Sequence, residues 1–301
     1  MSLRFGYGTN GFQSHRLDDA LTVIADLGYD GVALTIDHMH HDPFAADVIV
    51  RTRRLRRQLD RLGLAVVIET GARYLLDPWR KHHPTLVSAG DRSRRTDLLN
   101  RAVDIGADLG AEAVSFWSGT LPESDPAEVG WDRLSRGVEH LVTYAQNRQV
   151  TLAMEAEPGM LVSTVDDVLQ LRRRLGEPEP LRITLDLGHI VCNEPRGLAA
   201  TIATAGPLLA NVQVDDMVPD VHEHLELGQG DVDFRVALTA LAAVGYQGLA
   251  SLELPRHSHA APTLARSSLA YLRAAESGTS EPRATQSGTA ESGGTGEERF
   301  G

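Results

Sequence analysis

The chain has 301 residues, 42% of them hydrophobic, enough for a sizeable core in one large domain or two. Its formal net charge of −12 argues against a nucleic acid or an anionic membrane as the main partner, while leaving room for a local basic pocket. The single Cys192 rules out an intrachain disulfide framework and fits a reducing cytoplasm, and no apolar run reaches the roughly 20 residues of a membrane span. The first residues pass directly into a strand-like segment without the three-part signal-peptide pattern. A soluble, cytoplasmic protein is therefore expected, with a small molecule as partner and homo-oligomer formation left open. Lys81 is the sole lysine among 29 basic residues, which reads as codon bias.

Short apolar runs of strand length alternate with longer segments of helical periodicity. Strands are predicted near 3–8, 31–36, 64–69, 112–117, 150–155, 181–186, 208–214 and 248–253. Helices are predicted near 17–27, 46–62, 91–109, 130–147, 164–175, 196–205, 232–243 and 260–275. Gly28, Gly63, Gly110 and Gly245 stand where helices should stop, and Ser163-Thr164 and Asp231 are expected helix caps. Eight strand–helix units match an α/β fold of the (β/α)8 TIM barrel type, which typically takes about 250 residues. A doubly wound sheet is the alternative, but no Gly-x-Gly-x-x-Gly follows the first strand. Residues 276–301 are rich in Ser, Gly, Thr, Glu and Pro and are expected to form a disordered tail, leaving 1–275 as a single barrel domain.

Four predicted strands end in the same figure, an apolar run closed by a polar side chain. They are Thr151-Leu-Ala-Met-Glu155, Leu181-Arg-Ile-Thr-Leu-Asp186, Leu208-Leu-Ala-Asn-Val-Gln213 and Leu249-Ala-Ser-Leu-Glu253. An unpaired buried carboxylate costs several kcal/mol, so an acid at the end of a core strand needs a reason. In a barrel of this type the active site lies at the C-terminal strand ends, so the four side chains are expected to share one site. Three carboxylates and an amide oxygen are hard donors, suited to Mn²⁺ or Mg²⁺ rather than to a thiolate-type zinc site.

Glu69 ends the third predicted strand in the same way and is within reach of a substrate. Trp117 ends the fourth, where it either walls a sugar face or packs in the core. The loop after Glu69 carries Arg73, Arg80, Lys81, His82 and His83, either a seat for a phosphate or carboxylate or a solvated basic loop. Eleven of the twelve histidines fall in segments after predicted strands, on the expected active-site face; only His140 lies within a predicted helix. Glu157, just before Pro158, is expected in a supporting role at the rim.

These residues together resemble a known family. Ala153-Met-Glu155, Leu185-Asp186-Leu-Gly-His189, Asn211-Val-Gln213-Val-Asp-Asp216, His222 with Gly228-Gln-Gly230, and Gly245-Tyr-Gln-Gly248 before Leu252-Glu253 carry the likeness. It is to the sugar phosphate isomerase/epimerase group of the xylose-isomerase-like barrel superfamily and covers roughly residues 3–275. The resemblance implies metal ligands at Glu155, Asp186, Gln213 and Glu253. Gln213 departs from the pattern, since most members have His there, and an amide oxygen is a neutral, weaker ligand. One divalent metal is implied, Mn²⁺ first, with Mg²⁺, Co²⁺ or Zn²⁺ as alternatives.

The activity implied is isomerisation or epimerisation of a sugar, cyclitol or related hydroxy-ketone, phosphorylated or not, through a metal-bound enediolate. Glu155 and Glu253 would exchange the proton as general acid and base, in an order the sequence does not fix. His189, His222, His224, Glu69, Arg73 and Trp117 would contact substrate. Several alternatives are weighed beside this. An apurinic-site endonuclease shares the barrel, but the net charge disfavours DNA. A Schiff-base aldolase needs a strand-borne lysine, and Lys81 lies in a loop. A metal-dependent cyclitol-ketone dehydratase uses the same enolate chemistry, and a non-catalytic barrel that binds a metabolite or scaffolds a biosynthetic cluster is motivated by Gln213.

Overall fold

The computed structural model describes residues 2–71 and 73–279. Eight parallel strands close into a barrel. In chain order they are β1 (Arg4–Gly8), β2 (Gly31–Thr35), β3 (Ala65–Glu69), β4 (Val114–Trp117), β5 (Leu152–Glu155), β6 (Leu181–Asp186), β7 (Leu209–Val214) and β10 (Leu249–Leu252). The two between, β8 (Asp216–Val218) and β9 (Val221–Leu225), form a separate antiparallel hairpin. Around the ring the order is β1-β10-β7-β6-β5-β4-β3-β2, and β1 pairs with both β10 and β2. That closure excludes the doubly wound alternative, which leaves two free edges.

The outer layer comprises α1 (Leu17–Asp26), α2 (Val48–Leu62), α3 (Ser93–Leu109), α4 (Ala127–Arg148), α5 (Val165–Arg174), α7 (Leu198–Ala205), α8 (Phe234–Ala243) and α9 (Ala261–Ser277). In α2 the buried Thr52, Leu55 and Leu59 recur at helical spacing, while arginines fill the solvent face. Burying each leucine contributes about 1.5–3 kcal/mol, and Gly63 stops the helix by taking the left-handed conformation at φ 67°. Thr164 forms a reciprocal capping box with Asp167 at the start of α5. Asp231 is not the cap of α8. Asp233 is, accepting from the Val236 N–H at 3.0 Å, while the Asp231 N–H donates to the Met217 carbonyl and ties down the loop before the helix.

Two elements escape the periodicity. One is α6 (Leu187–Asn193), which starts directly from β6; the other is the hairpin, whose outer strand Val-His-Glu-His-Leu is too polar to read as a core strand. The last helix also passes the predicted end of the domain. The Glu276 carboxylate accepts from the Leu3 N–H at 2.6 Å and from Arg273, stitching α9 to the entrance of β1. The remainder of the predicted tail, 280–301, lies outside the described residues. Among the described residues no helix is long and apolar enough to cross a membrane.

Polarity inside the barrel rises towards the C-terminal mouth. Val67, Ala113, Ala153 and Leu249 form a small apolar cluster at the floor. Above them Ser115, Thr184, Asn211 and Ser251 are buried, with Ser115 and Thr184 hydroxyls 2.9 Å apart. Because side chains alternate along a strand, two residues further on the same inward faces present Trp117, Asp186, Gln213 and Glu253.

Candidate active site

The strand ends open into a cavity of about 660 Å³ lined by Glu69, Arg73, Trp117, Glu155, Gln213, His222, His224 and Glu253, among others. Asp186 and His189 are buried behind that wall. Glu155, Asp186, Gln213 and Glu253 belong to four successive neighbours in the ring, β5, β6, β7 and the end of β10. They therefore form an arc, with Glu155 and Glu253 three strand steps apart and Asp186 and Gln213 on the intervening strands.

The arc is held by specific bonds. Asp186 caps α6 by accepting from the His189 N–H at 2.8 Å, so one Oδ is engaged and Oδ2 is left buried without a partner. The Gln213 amide donates to Glu253 Oε2 at 2.5 Å, leaving Gln213 Oε1 buried and unpartnered. Asn10 donates to the other oxygen, Glu253 Oε1, at 2.8 Å. Each unsatisfied buried acceptor costs about 1–3 kcal/mol, so two of them side by side on adjacent strands mark a place shaped for something else. In Glu155-Asp186-His189 and again in Asp186-Asp215-His224, one potential ligand atom from each residue lies within 4.8 Å of the others.

Charge crowding sets the protonation of the cluster. Glu155 is pushed well above the ordinary carboxylate range by burial and then by the charges of Glu157, Glu253, Glu69 and Asp186. Glu69 is raised for the same reasons, burial first and Glu253 second, although Asn211 reaches across the barrel from β7 to donate to it at 3.1 Å. Burial also raises Glu253, opposed by the His224 charge. Burial works against Asp186 too, but the nearby His189 and His224 and the His189 N–H outweigh it and hold Asp186 low. His224 loses its solvent, yet the hydrogen bond to Asp215 and that residue's charge lift it to about 10, while burial and the Asp186 charge push Asp215 up as well.

His189 and His222 form a second unit. His189 Nδ1 donates to the Ala156 carbonyl at 3.1 Å, and its Nε2 lies 3.1 Å from His222 Nε2. Glu157 Oε1 lies 3.6 Å from His222 Nε2, and Glu157 lines the cavity.

Not every predicted group joins the site. Eight of the eleven face histidines do not line the cavity: His189 stands behind its wall, and His15, His38, His40, His41, His83, His257 and His259 lie away from it. His41 Nε2 pairs with Thr52 on α2 and His40 Nε2 with the His15 carbonyl, so these two hold the scaffold. The basic loop divides as well: Arg80 turns to Asp77 at 2.8 Å, while Arg73, Lys81 and His82 face the cavity.

The family model described as xylose isomerase-like TIM barrel matches residues 21–275. The chain belongs to that family. Among curated relatives, the uncharacterized protein MJ1311 of Methanocaldococcus jannaschii is 22% identical over 260 residues, covering 84% of each chain. L-ribulose-5-phosphate 3-epimerase UlaE of Escherichia coli K12 is 25% identical over 240 residues, 78% of this chain and 81% of its own. A solved L-ribulose 3-epimerase structure superposes with a TM-score of 0.73 at 21% identity, over 92% of this chain and 97% of that one.

Within this family barrel, sequence reasoning passed over Asp215, Asn10 and Arg95. Asp215 was legible in principle: it stands two residues past Gln213, so alternation sends it to the same side. Asn10 lies in the short turn after β1 and is recognised only by its bond to Glu253. Arg95, on α3, carries no sequence signal. It is buried and gives its guanidinium to the carbonyls of Pro84, His82 and Thr70 while lying over the Trp117 ring at 4.6 Å.

Proposed function

We propose that the chain is an isomerase or epimerase of a sugar, a cyclitol or a related hydroxy-ketone, in which Glu155 and Glu253 exchange the proton on a carbon beside a carbonyl. The observation that carries the proposal is the arc: two carboxylates three strand steps apart, with the unsatisfied oxygens of Asp186 and Gln213 on the strands between them. The activities named for UlaE and for the L-ribulose 3-epimerase support the same reaction class.

The donor set fits a hard divalent cation. Glu155, Asp186, Gln213 and Glu253 would hold it through oxygen, Gln213 by the Oε1 left free while its amide N–H donates to Glu253. Mn²⁺ is the first candidate, followed by Mg²⁺, Co²⁺ and Zn²⁺. When bound, such a cation supplies stabilisation of the negative charge that develops on substrate oxygen as the proton leaves.

The two glutamates differ in their hydrogen bonding. Both oxygens of Glu253 accept amide hydrogen bonds, which favours the ionised form while burial opposes it. Among the described residues Glu155 accepts no hydrogen bond; His189 Nδ1 stands 3.8 Å from it, and burial among other acids favours the protonated form. With a cation bound both glutamates are ionised ligands, so either can take the proton, and the forward and reverse reactions exchange the roles. The His189–His222 pair orients a substrate hydroxyl, with Trp117 as an apolar wall.

Proton exchange in D₂O with a panel of keto-sugars and cyclitol ketones tests the proposal. Deuterium should enter beside the carbonyl, stop after dialysis against a chelator and return with Mn²⁺. A protein that holds no divalent metal and exchanges no panel member would be a binding or scaffold barrel instead. Loss of water from a cyclitol ketone would identify a dehydratase.

A further inference from the structure

Directly across the ring from Gln213 on β7, four strand steps away, β3 leads into the loop that carries Arg73 and Lys81. This end of the cavity is electrically unlike the arc. Arg73 donates to the amide oxygen of Gln13 at 3.2 Å and forms no ion pair among the described residues; nor does Lys81. Behind them Arg95, 2% exposed, satisfies its guanidinium with three backbone carbonyls and the Trp117 face, with no carboxylate beside it. Other cations nearby are neutralised: Arg80 pairs with Asp77, and Arg256, on the cavity wall, pairs with Glu223.

In a chain with 41 acidic and 29 basic residues, three cations without an ion-pair partner among the described residues gather at one end of a cavity that Asp37 and Glu69 also line, and since burial pushes Glu69 well above the ordinary carboxylate range they form its positive pole. Keeping a buried guanidinium there costs several kcal/mol in desolvation. The neighbouring His82 is held neutral, lowered to about 4 by burial and by the Lys81 charge, so it takes no part of the positive charge.

We propose that this pole binds an anionic substituent of the substrate, a phosphate ester or a carboxylate, through Arg73 and Lys81. Arg95 acts as a positioning residue, fixing the loop carbonyls and the Trp117 ring and adding its charge from behind. The proposal rests on the epimerase reading only for what happens at the other end of the molecule. An elongated substrate lies with its reacting carbons at the carboxylate arc and its anionic end at the loop.

The test uses matched sets: a neutral ketopentose, its 5-phosphate and the corresponding keto-acid. Each is followed by deuterium exchange and by calorimetric binding to the metal-loaded wild type and to the Arg73→Gln/Lys81→Gln double variant. Anionic members should be preferred over the neutral one by about tenfold for each engaged cation, and the double variant should erase that ratio. The preferred anion then names the source, ester or carboxylate. In Arg95→Lys, KM for the anionic member should rise with kcat held, which a purely structural loss of active protein would not produce.

Equal handling of neutral and anionic members by the wild type, or a preference that survives in the double variant, would overturn the proposal. If neutral ketoses exchange without any such preference, the anion site falls and the epimerase reading stands. If nothing exchanges but the phosphate binds tightly and only through Arg73 and Lys81, the anion site stands and the epimerase reading falls. If nothing binds or exchanges, both fall.

Discussion

The two sides of the cavity mouth are built by different means. On the arc, each side chain lies within one residue of a strand end, so barrel hydrogen bonding fixes its place: Trp117 registers with Glu155 and Asp186 with Gln213. Across the ring, Arg73, Lys81 and His82 hang from the connection between Glu69 and Ser93, longer than most loops in compact domains. That connection is shaped by one arginine reaching in from α3. The groups proposed to exchange the proton thus sit on rigid elements, while the side proposed to select a substrate sits on a loop that can vary without disturbing the barrel.

The largest expected effects break this contrast on the arc side. Glu155→Gln or Glu253→Gln should lower deuterium exchange by about 10²–10⁴-fold. The melting temperature should hold or rise, since each change removes an acid from a crowded buried group. Substantial exchange in either variant would sink the acid–base assignment. On the loop side the expected change is structural: Arg95→Met leaves three carbonyls without their donor, at about 1–3 kcal/mol each, offset in part because no charge is then buried. A net loss of about 2–3 kcal/mol should appear in urea denaturation. An unchanged midpoint would mean that the loop does not depend on Arg95.

The same contrast explains what could be read in advance. Strand ends at Glu155, Asp186 and Val214 were legible to the residue because a short apolar run and the break that follows it are local features, and the (β/α)8 count followed from eight such runs. Helix starts were less secure: Asp231 and Asp233 are both good caps, and only the bond from Val236 decides between them. The histidines were legible as a face but not as a site. Whether His41 meets a substrate or Thr52 depends on how α2 docks, which no local pattern encodes. Arg95 was invisible for the same reason, since its partners lie on a loop before its own helix and on β4, and no spacing rule links a helical arginine to the carbonyls of Thr70, His82 and Pro84.

The hairpin sharpens the comparison, because it is a loop-borne element that behaves like a rigid one. It brings His222 and His224 to the arc, and one side chain secures the turn that follows it. Asp216 accepts from the N–H groups of Met217, Gly228, Gly230 and Val232 at 2.8–3.1 Å. A Cβ on Gly230 would stand 2.4 Å from Asp216 Oδ1 and 2.5 Å from the Met217 carbonyl, which is backbone and has little room to move. Gly230→Ala should therefore cost about 1–3 kcal/mol by overpacking and slow deuterium exchange as His222 and His224 shift. A variant with full stability and full exchange would show that the brace is dispensable.

The smallest effect expected concerns a histidine that the cavity does not use. His41 is buried beneath α2, with Nε2 2.9 Å from the Thr52 hydroxyl. Burial, helped by the Arg51 charge, lowers it from 6.5 to about 4, so it is neutral in the folded protein across a range where the unfolded chain is protonated. Proton uptake by the unfolded state then makes stability fall as pH drops from about 6.5 towards 4, with this contribution complete above the unfolded value. Between pH 7 and pH 5.5 the loss attributable to His41 is about 1 kcal/mol. Urea titrations of wild type and His41→Gln at both pH values isolate it, because every other titrating group is common to the two proteins and Gln keeps an amide near Thr52. The variant should show the shallower decline by that amount; parallel declines would place His41 in solvent rather than under the helix.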